Sequence, residues 1–142
     1  MSMNSIDDCR IINLPRHNSG RKGNLTVAEG MPFDIKRVYY IYDVPGGENR
    51  GEHAHKELEE VVVAASGSFT VVLDDGKNRR EVFLNRPYIG LFIPAGIWIL
   101  LKDFSSGAVV LAITSDVYKE DDYIREYADF KQFRKLTDDK VS

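Results

Sequence analysis

Short apolar runs separated by turn-forming residues restrict the fold of this chain more than any other feature. The runs are rich in valine, isoleucine and tyrosine, and glycine, proline, aspartate or serine stand between them. This pattern is typical of β-strands joined by tight turns. We predict strands at 35–42, 61–65, 68–73, 79–84, 91–93, 97–104 and 108–115, with a weaker candidate at 23–29. About eight short strands in succession favour an all-β fold, a closed barrel or a jelly roll, whose mouth can hold one small ligand.

The pattern changes near the C-terminal end. Tyr123, Tyr127, Phe130 and Phe133 recur at helix-like spacing with charged residues between them, which predicts one or two short helices or turns within 118–136. From about residue 137 we expect a disordered tail. The sequence shows no repeat, low-complexity segment or linker, so we predict a single domain over residues 1–142.

Charge and cysteine content exclude several classes of function. The formal net charge of -3 gives no overall basic field, so neither nucleic acid nor a membrane is an expected partner. Cys9 is the only cysteine, which excludes an intrachain disulfide and a multi-cysteine metal site. We find no secretory signal and no apolar stretch near the roughly 18–20 residues that cross a bilayer. The cytoplasm is therefore the expected location.

Two of the three histidines lie close together, at positions 53 and 55. Residues two apart on a strand project to the same face, so both imidazoles are expected side by side. Such a pair alone is more often a feature of a polar surface than a site. The spacing of Gly47, His53, His55, Glu60 and Gly67 sharpens the hypothesis, because it matches the first motif of the cupins.

In metal-binding cupins the two histidines and the glutamate of this motif are ligands, but the second motif is incomplete here. Ile99 stands after Trp98 where those proteins have their last histidine ligand. His53, His55 and Glu60 would still suffice for a facial triad that holds non-haem iron. A metal-dependent oxygenase therefore remains an alternative, although nothing in the sequence shows the partners that would orient such ligands. We expect no metal.

Five segments carry a more specific resemblance. They are IKRVYYIYDVPGG (35–47), RGEHAHKELEE (50–60), SGSFTVVLDDG (66–76), GLFIPAGIW (90–98) and DYIREYADF (122–130). Together they resemble the WxcM-like, or thymidine-diphosphate-4-keto-6-deoxyglucose 3,4-ketoisomerase, family of cupins. The resemblance runs from about Ile11 to Phe133 and is more specific than a bare cupin motif.

The resemblance implies a double-stranded β-helix that forms a homodimer by exchanging N-terminal strands and acts without a metal or other cofactor. The implied partner is a small-molecule sugar nucleotide. The implied reaction, an intramolecular oxidoreduction, converts a dTDP-linked 4-keto-6-deoxyhexose to its 3-keto isomer for amino-sugar synthesis in bacterial surface glycans. The position of the family's catalytic base matches His53, with His55 beside it. A cupin that binds the nucleotide sugar without turning it over is the second alternative.

The residues agree with that chemistry. A ketone at C4 acidifies the proton at C3, and histidine is suited to remove it because its ordinary pKa lies near neutrality. His55 or a tyrosine could stabilise the developing oxyanion. Tyr39 and Tyr42 are candidates by position, Tyr39 for catalysis and Tyr42 for substrate binding.

The diphosphate needs cations or backbone N–H groups. Arg37, Arg50 and Lys56 are the nearest supply, and Arg37 has the best case because of the strand face it occupies. Glu60 and Ile99 complete the expected substrate pocket. The family commonly has glutamine at the position of Glu60 and histidine or arginine at the position of Ile99. The second position shapes the stereochemistry at C4, so the product epimer stays open.

Overall fold

Two five-stranded antiparallel sheets form the body of the protein. The computed structural model describes the backbone of residues 3–141 and the side chains of residues 3–135. Within that range the strands are β1 (Arg10–Asn13), β2 (Arg16–Asn18), β3 (Asn24–Thr26), β4 (Arg37–Ile41), β5 (Arg50–His55), β6 (Glu60–Ser66), β7 (Phe69–Asp74), β8 (Arg79–Leu84), β9 (Ile89–Ile93), β10 (Trp98–Lys102), β11 (Val109–Thr114) and β12 (Tyr123–Ile124). The first sheet has the order β1-β9-β6-β11-β4, the second has the order β12-β5-β10-β7-β8, and β2 pairs with β3 apart from both.

Most of the predicted strands are confirmed. β4 and β6 to β11 fall where the apolar runs predict them, and the weaker candidate at 23–29 contains the shorter β3. The predicted strands do not include β5, although the histidine pair was expected on a strand, nor β1, β2 and β12, which are two to four residues long. Strands this short carry too few residues to display a two-residue period.

The alternation of β4 shows how the sequence selects the face of each side chain. Arg37, Tyr39 and Ile41 are half-buried, whereas Val38 and Tyr40 are exposed. This is the pattern of a strand with one face towards the core and one towards solvent. Arg37, Tyr39 and Ile41 therefore lie on the core face of this strand.

The principal core lies between the two sheets. The first sheet contributes Val62, Ala64, Leu91, Ile93 and Val110, and the second contributes Val71, Leu73, Leu84, Ile99 and Leu101. Each of the larger side chains stabilises the fold by roughly 1.5–3 kcal/mol through removal of its surface from water. Polar side chains replace the apolar ones at one end of this layer, and they form the candidate site described below.

The C-terminal segment covers the outer face of the second sheet. It contains a 3-10 turn at Glu120–Asp122, then β12, then helix α1 (Tyr127–Val141). Phe130 of the helix is fully buried against Ala54, and its ring centroid lies 5.6 Å from that of Trp98. The predicted C-terminal helix is confirmed, although its spacing does not extend to Tyr123, which lies in a strand.

The backbone is helical to Val141, including the segment from about residue 137 for which the sequence predicts disorder. The single-domain organisation stays a prediction. Within residues 3–141, no helix combines the length and the apolar character needed to cross a bilayer.

Candidate active site

Strand β5 carries both histidines to the layer between the sheets. The centroids of the His53 and His55 rings lie 4.8 Å apart, with 80° between the ring planes. Ala54 between them faces outward and packs against Ile124 and Phe130. The two-residue period therefore places both imidazoles on the inner face, as the sequence predicts.

A glycine bulge sets the position of His53. Gly51 has a φ of 72°, a conformation that is costly for residues with a Cβ. The register of β5 against β10 is irregular at the same place, between the pairs Ile99–His53 and Leu101–Arg50. Bulges of this kind bend a strand and re-aim its side chains, often beside active sites. The bulge thus helps to direct the imidazole that follows it.

The Nε2 atom of His53 is buried and has no hydrogen-bond partner among the described residues. Burial, together with the nearby His55 and Arg125, lowers the pKa of His53 to about 3. The ring is therefore neutral in neutral solution. Buried polar atoms are nearly always paired, so an unpaired ring nitrogen is a candidate to meet a ligand. Ile99 lies directly opposite on β10 and makes the neighbouring wall apolar.

His55 contacts a carboxylate that the sequence analysis did not select. Its Nδ1 lies 3.1 Å from Oδ2 of Asp122. Burial lowers the pKa of His55, and the charge of the carboxylate acts in the opposite direction. Asp122 also accepts hydrogen bonds from the backbone N–H groups of Glu57 and Leu58, at 2.8 and 3.2 Å. The only sequence signal was that Asp122 begins one of the segments that carry the family resemblance.

The first sheet supplies the facing wall. The Tyr39 hydroxyl donates to Oε2 of Glu60 at 3.4 Å, and the Arg37 guanidinium lies 4.9 Å from the centroid of the Tyr39 ring. Glu60 is only 3% exposed. Burial raises its pKa to about 7, against the lowering effects of Tyr39 and Arg37. The charge of Glu60, followed by burial, raises the pKa of Tyr39 far above its ordinary value.

Tyr123 joins the two histidines at the rim. Its ring centroid lies 5.0 Å from that of His53 and 4.4 Å from that of His55. The Arg125 guanidinium lies 4.3 Å from the Tyr123 ring and makes two hydrogen bonds to the Glu120 carboxylate, at 2.9 and 2.8 Å. Sequence reasoning missed both residues because it assigned this segment to helices or turns.

A polar cavity of about 570 Å³ opens beside His53. Its lining includes Arg50 and Arg125, together with the glycine-rich loop that precedes β5. The cavity is therefore lined by His53 together with two cationic side chains. Arg50 lies where the sequence predicts it, and Arg125 is an addition.

Of the nine predicted site residues, Arg50 lines the cavity, Tyr42 and Lys56 do not reach the site, and six face the same end of the inter-sheet layer: Arg37, Tyr39, His53, His55, Glu60 and Ile99. Tyr42 is 60% exposed and stacks on Tyr40 on the outer face, with 5.8 Å between ring centroids. The alternation of β4 explains this, because it puts Tyr42 on the face opposite Tyr39. Lys56 is exposed and lines a different cavity, with Asp116 and Asp121 among its neighbours.

The alternative of a metal triad depends on His53, His55 and Glu60 converging. Among the residues that the structure describes, no group of three or more histidine, cysteine, aspartate or glutamate side chains is arranged to hold a metal ion. Glu60 instead interacts with Tyr39 on the opposite wall.

The fold and the site together define a two-sheet β protein with a buried acid–base centre, in which ionisable groups of one sheet face a histidine pair of the other.

The comparisons with known proteins agree with this class. Residues 7–135 match the family described as FdtA: WxcM-like, C-terminal. The chain belongs to this family, so the resemblance found in the sequence is confirmed.

Individual relatives are similar over most of their length. The TDP-4-oxo-6-deoxy-alpha-D-glucose-3,4-oxoisomerase of Aneurinibacillus thermoaerophilus is 44% identical over 126 residues, which cover 87% of this chain and 91% of that protein. A 3,4-ketoisomerase from Helicobacter canadensis is also 44% identical, with a TM-score of 0.86 over 90% of this chain and 98% of that one. A histidine-to-asparagine variant of QdtA from Thermoanaerobacterium thermosaccharolyticum, in complex with TDP-4-keto-6-deoxyglucose, is 36% identical, with a TM-score of 0.87 over 90% and 94% of the two chains.

Proposed function

We propose that this protein is a sugar-nucleotide 3,4-ketoisomerase that converts a dTDP-linked 4-keto-6-deoxyhexose to its 3-keto isomer by histidine-mediated proton transfer. The observation that carries the proposal is the His53–His55 pair, whose free Nε2 atom is buried beside a cavity lined by arginines. The activity agrees with the names of relatives that are 44% identical to this chain.

The proposed reaction moves protons within the substrate and needs no external electrons. His53 removes the proton from C3, the electron pair of that bond forms a C3–C4 double bond, and the carbonyl pair moves onto O4. The proton of the O3 hydroxyl is then transferred to O4, C3 becomes the carbonyl carbon, and the double bond takes a proton at C4 from His53. C3 is oxidised and C4 is reduced, so no oxidant or reductant is consumed.

The environment of His53 suits the first of these steps. The neutral ring has a lone pair available throughout the neutral pH range, because burial keeps its pKa low. Apolar Ile99 on the adjacent strand excludes water from one side of the ring. A base inside such a water-poor site does not have to lose a hydration shell before it takes the proton from C3.

The opposite wall supplies a partner for the charge that develops on oxygen. The hydroxyl of Tyr39 is a donor, and preorganised donors stabilise an enolate in a water-excluded site. We assign Tyr39 to this role: its single O–H donates to Glu60 at 3.4 Å in the structure and turns to the substrate oxygen on binding. Arg37 lies against the same ring and adds a positive charge to that wall.

The arginines at the cavity lip are suited to the diphosphate. Arg50 and Arg125 both line the cavity beside His53, and guanidinium groups bind phosphate oxygens in a bidentate manner. Arg125 pairs with Glu120 in the structure. We propose that the substrate diphosphate displaces Glu120 and binds the Arg125 guanidinium.

The proposal extends to architecture and assembly. We interpret the two sheets as the double-stranded β-helix of the cupins and expect a homodimer. Val38, Tyr40 and Tyr42 are 52%, 63% and 60% exposed on one outer face, and a contiguous apolar patch of this kind is typical of an interaction surface. Light scattering coupled to size-exclusion chromatography measures the oligomeric state.

Deuterium exchange tests the activity directly. The purified protein is incubated with dTDP-4-keto-6-deoxyglucose in heavy water, and the C3 proton is followed by NMR. We expect exchange and formation of the 3-keto isomer with wild type. His53→Asn should show neither, with nucleotide affinity nearly unchanged in calorimetry. His17→Asn, at an exposed position in β2, is the matched control and should retain full activity.

The other outcomes separate the alternatives. Nucleotide binding without exchange by the folded wild-type protein would favour a cupin that only binds the nucleotide sugar. Stoichiometric iron or manganese in elemental analysis, with activity lost on chelation, would favour the oxygenase. Full turnover by His53→Asn would show that another residue is the base.

A further inference from the structure

A single carboxylate connects the C-terminal segment to the histidine pair. Asp122 Oδ2 lies 3.1 Å from Nδ1 of His55. The backbone on both sides of this contact is also fixed: the N–H of Lys56 donates to the carbonyl of Asp122 at 2.9 Å, and Tyr123 pairs with His55 in the ladder between β12 and β5. The distance between the two side chains is therefore set by main-chain pairing.

The turn that follows β5 holds the carboxylate in place. The N–H of Glu57 donates to Oδ1 of Asp122 at 2.8 Å, and the N–H of Leu58 donates to Oδ2 at 3.2 Å. Both oxygens thus accept from the backbone while one of them also meets the imidazole. A side chain with this many fixed bonds has little freedom to leave the ring.

The hydrogen-bond inventory determines which nitrogen of His55 carries the proton. An ionised carboxylate only accepts, so Nδ1 must be the donor in this contact. A neutral imidazole has one N–H, and Nε2 of the same ring therefore carries the lone pair. The His55 side chain is 4% exposed and that of Asp122 is 14% exposed, so water competes little for this bond.

We propose that Asp122 is a positioning residue for the reaction: it keeps His55 protonated on Nδ1, so that Nε2 is the atom that carries the substrate hydroxyl proton from O3 to O4 while His53 moves the carbon proton. This inference rests on the proposed function. When Nε2 takes a proton from the substrate, the imidazolium that forms lies against the carboxylate at 3.1 Å. The proton taken from O3 is given to O4, so none is consumed.

The kinetic test uses Asp122→Asn, which retains one oxygen to accept from the backbone of the turn. We expect kcat to fall by roughly 10–100-fold, which is the range found when partners that orient a histidine are removed. KM should change by less than about threefold. Asp121→Asn is the matched control, because the neighbouring side chain is exposed on the same 3-10 turn. It should keep kcat within about twofold of wild type.

A spectroscopic test does not depend on activity. The imidazole nitrogens of 15N-labelled wild-type protein are observed by NMR, and the His55 signals are assigned by their absence in His55→Asn. We expect a protonated Nδ1 and an unprotonated Nε2 in His55. The reverse tautomer would overturn the inference, even if the protein proves to be an active ketoisomerase.

A double-mutant cycle separates positioning from a general effect on folding. If Asp122 acts through His55, adding Asp122→Asn to His55→Asn should cause no further loss in the residual rate. An equal loss in both backgrounds would show that the carboxylate serves another purpose and would contradict the inference. If no sugar nucleotide reacts with wild type, the proposed function fails, while the tautomer measurement still decides the structural assignment.

Discussion

The carboxyl of Glu60 should make the stability of the protein fall as the pH rises towards neutrality. The group is 3% exposed, and its pKa is raised from 4.5 to about 7 on folding because burial disfavours the charge. Between these two values the folded chain binds more protons at this site than the unfolded chain does. The stabilisation from the protonated carboxyl is complete below pH 4.5 and is lost by about pH 7.

The size of the effect follows from the difference between the two pKa values. One pKa unit corresponds to about 1.4 kcal/mol, so the rise from 4.5 to about 7 corresponds to roughly 3 kcal/mol of unfolding free energy. Glu60→Gln has nearly the same shape and keeps an oxygen that can accept from Tyr39. The variant cannot ionise, so it should avoid this loss.

The assay is urea denaturation of both proteins at a series of pH values and one protein concentration. The free-energy difference, variant minus wild type, should rise by about 3 kcal/mol from pH 4.5 to 7 and then stay level. His53 has the opposite effect on stability. Its ring stays neutral in the folded protein, whereas the unfolded chain takes up a proton there as the pH falls below 6.5. Both proteins contain this ring, so its contribution cancels in the difference.

The matched control is Glu57→Gln, which alters an exposed carboxyl in the neighbouring turn. Its free-energy difference from wild type should not change across the same pH range by more than about 0.5 kcal/mol. A Glu60→Gln curve parallel to that of wild type would refute the reasoning, since it would mean that the buried carboxyl ionises as easily in the folded chain as in the unfolded one.

Three further measurements test other parts of the site. Gly51→Ala should lower kcat and should destabilise the protein by about 1–2 kcal/mol in urea denaturation, because the φ of Gly51 is positive. The control Gly46→Ala, where an added Cβ meets open space, should have neither effect. Equal stability of the two variants would contradict the bulge argument. Arg125→Ala should raise KM for the sugar nucleotide about tenfold (one charged hydrogen bond), while Lys56→Ala, in another cavity, leaves it unchanged. In NMR titration the His53 ring should remain neutral from pH 8 to about 5, because burial lowers its pKa, and protonation near pH 6.5 would show that the ring is solvated.

The sequence predicts the inner wall of the first sheet well, because a strand with one buried face has a strict two-residue period. In β4 the same period that places Tyr39 inward places Tyr42 outward, where it is 60% exposed. Selecting Tyr42 for substrate binding went against this pattern. A rule of alternation assigns a side chain to a face more reliably than proximity in sequence does.

The residues from the C-terminal segment could not be found by such a rule. Asp122 and His55 are 67 positions apart in the chain, and only the pairing of β12 with β5 brings them together. β12 has two residues, too few for a recognisable period, and the aromatic spacing around Tyr123 suggests a helix. The burial of Glu60 likewise could not be predicted from the sequence, in which the residue is simply a charged residue at the start of a strand.

The pairing of β12 with β5 has a consequence for how the protein is made. A ribosome completes the other strands of both sheets before it reaches Asp122 and Tyr123, so a nascent chain can assemble most of its framework with the histidine pair still lacking its carboxylate. Chains usually fold from the N-terminal side during synthesis. A chain terminated before β12 would lack the carboxylate that contacts His55 and would be impaired in the proposed reaction.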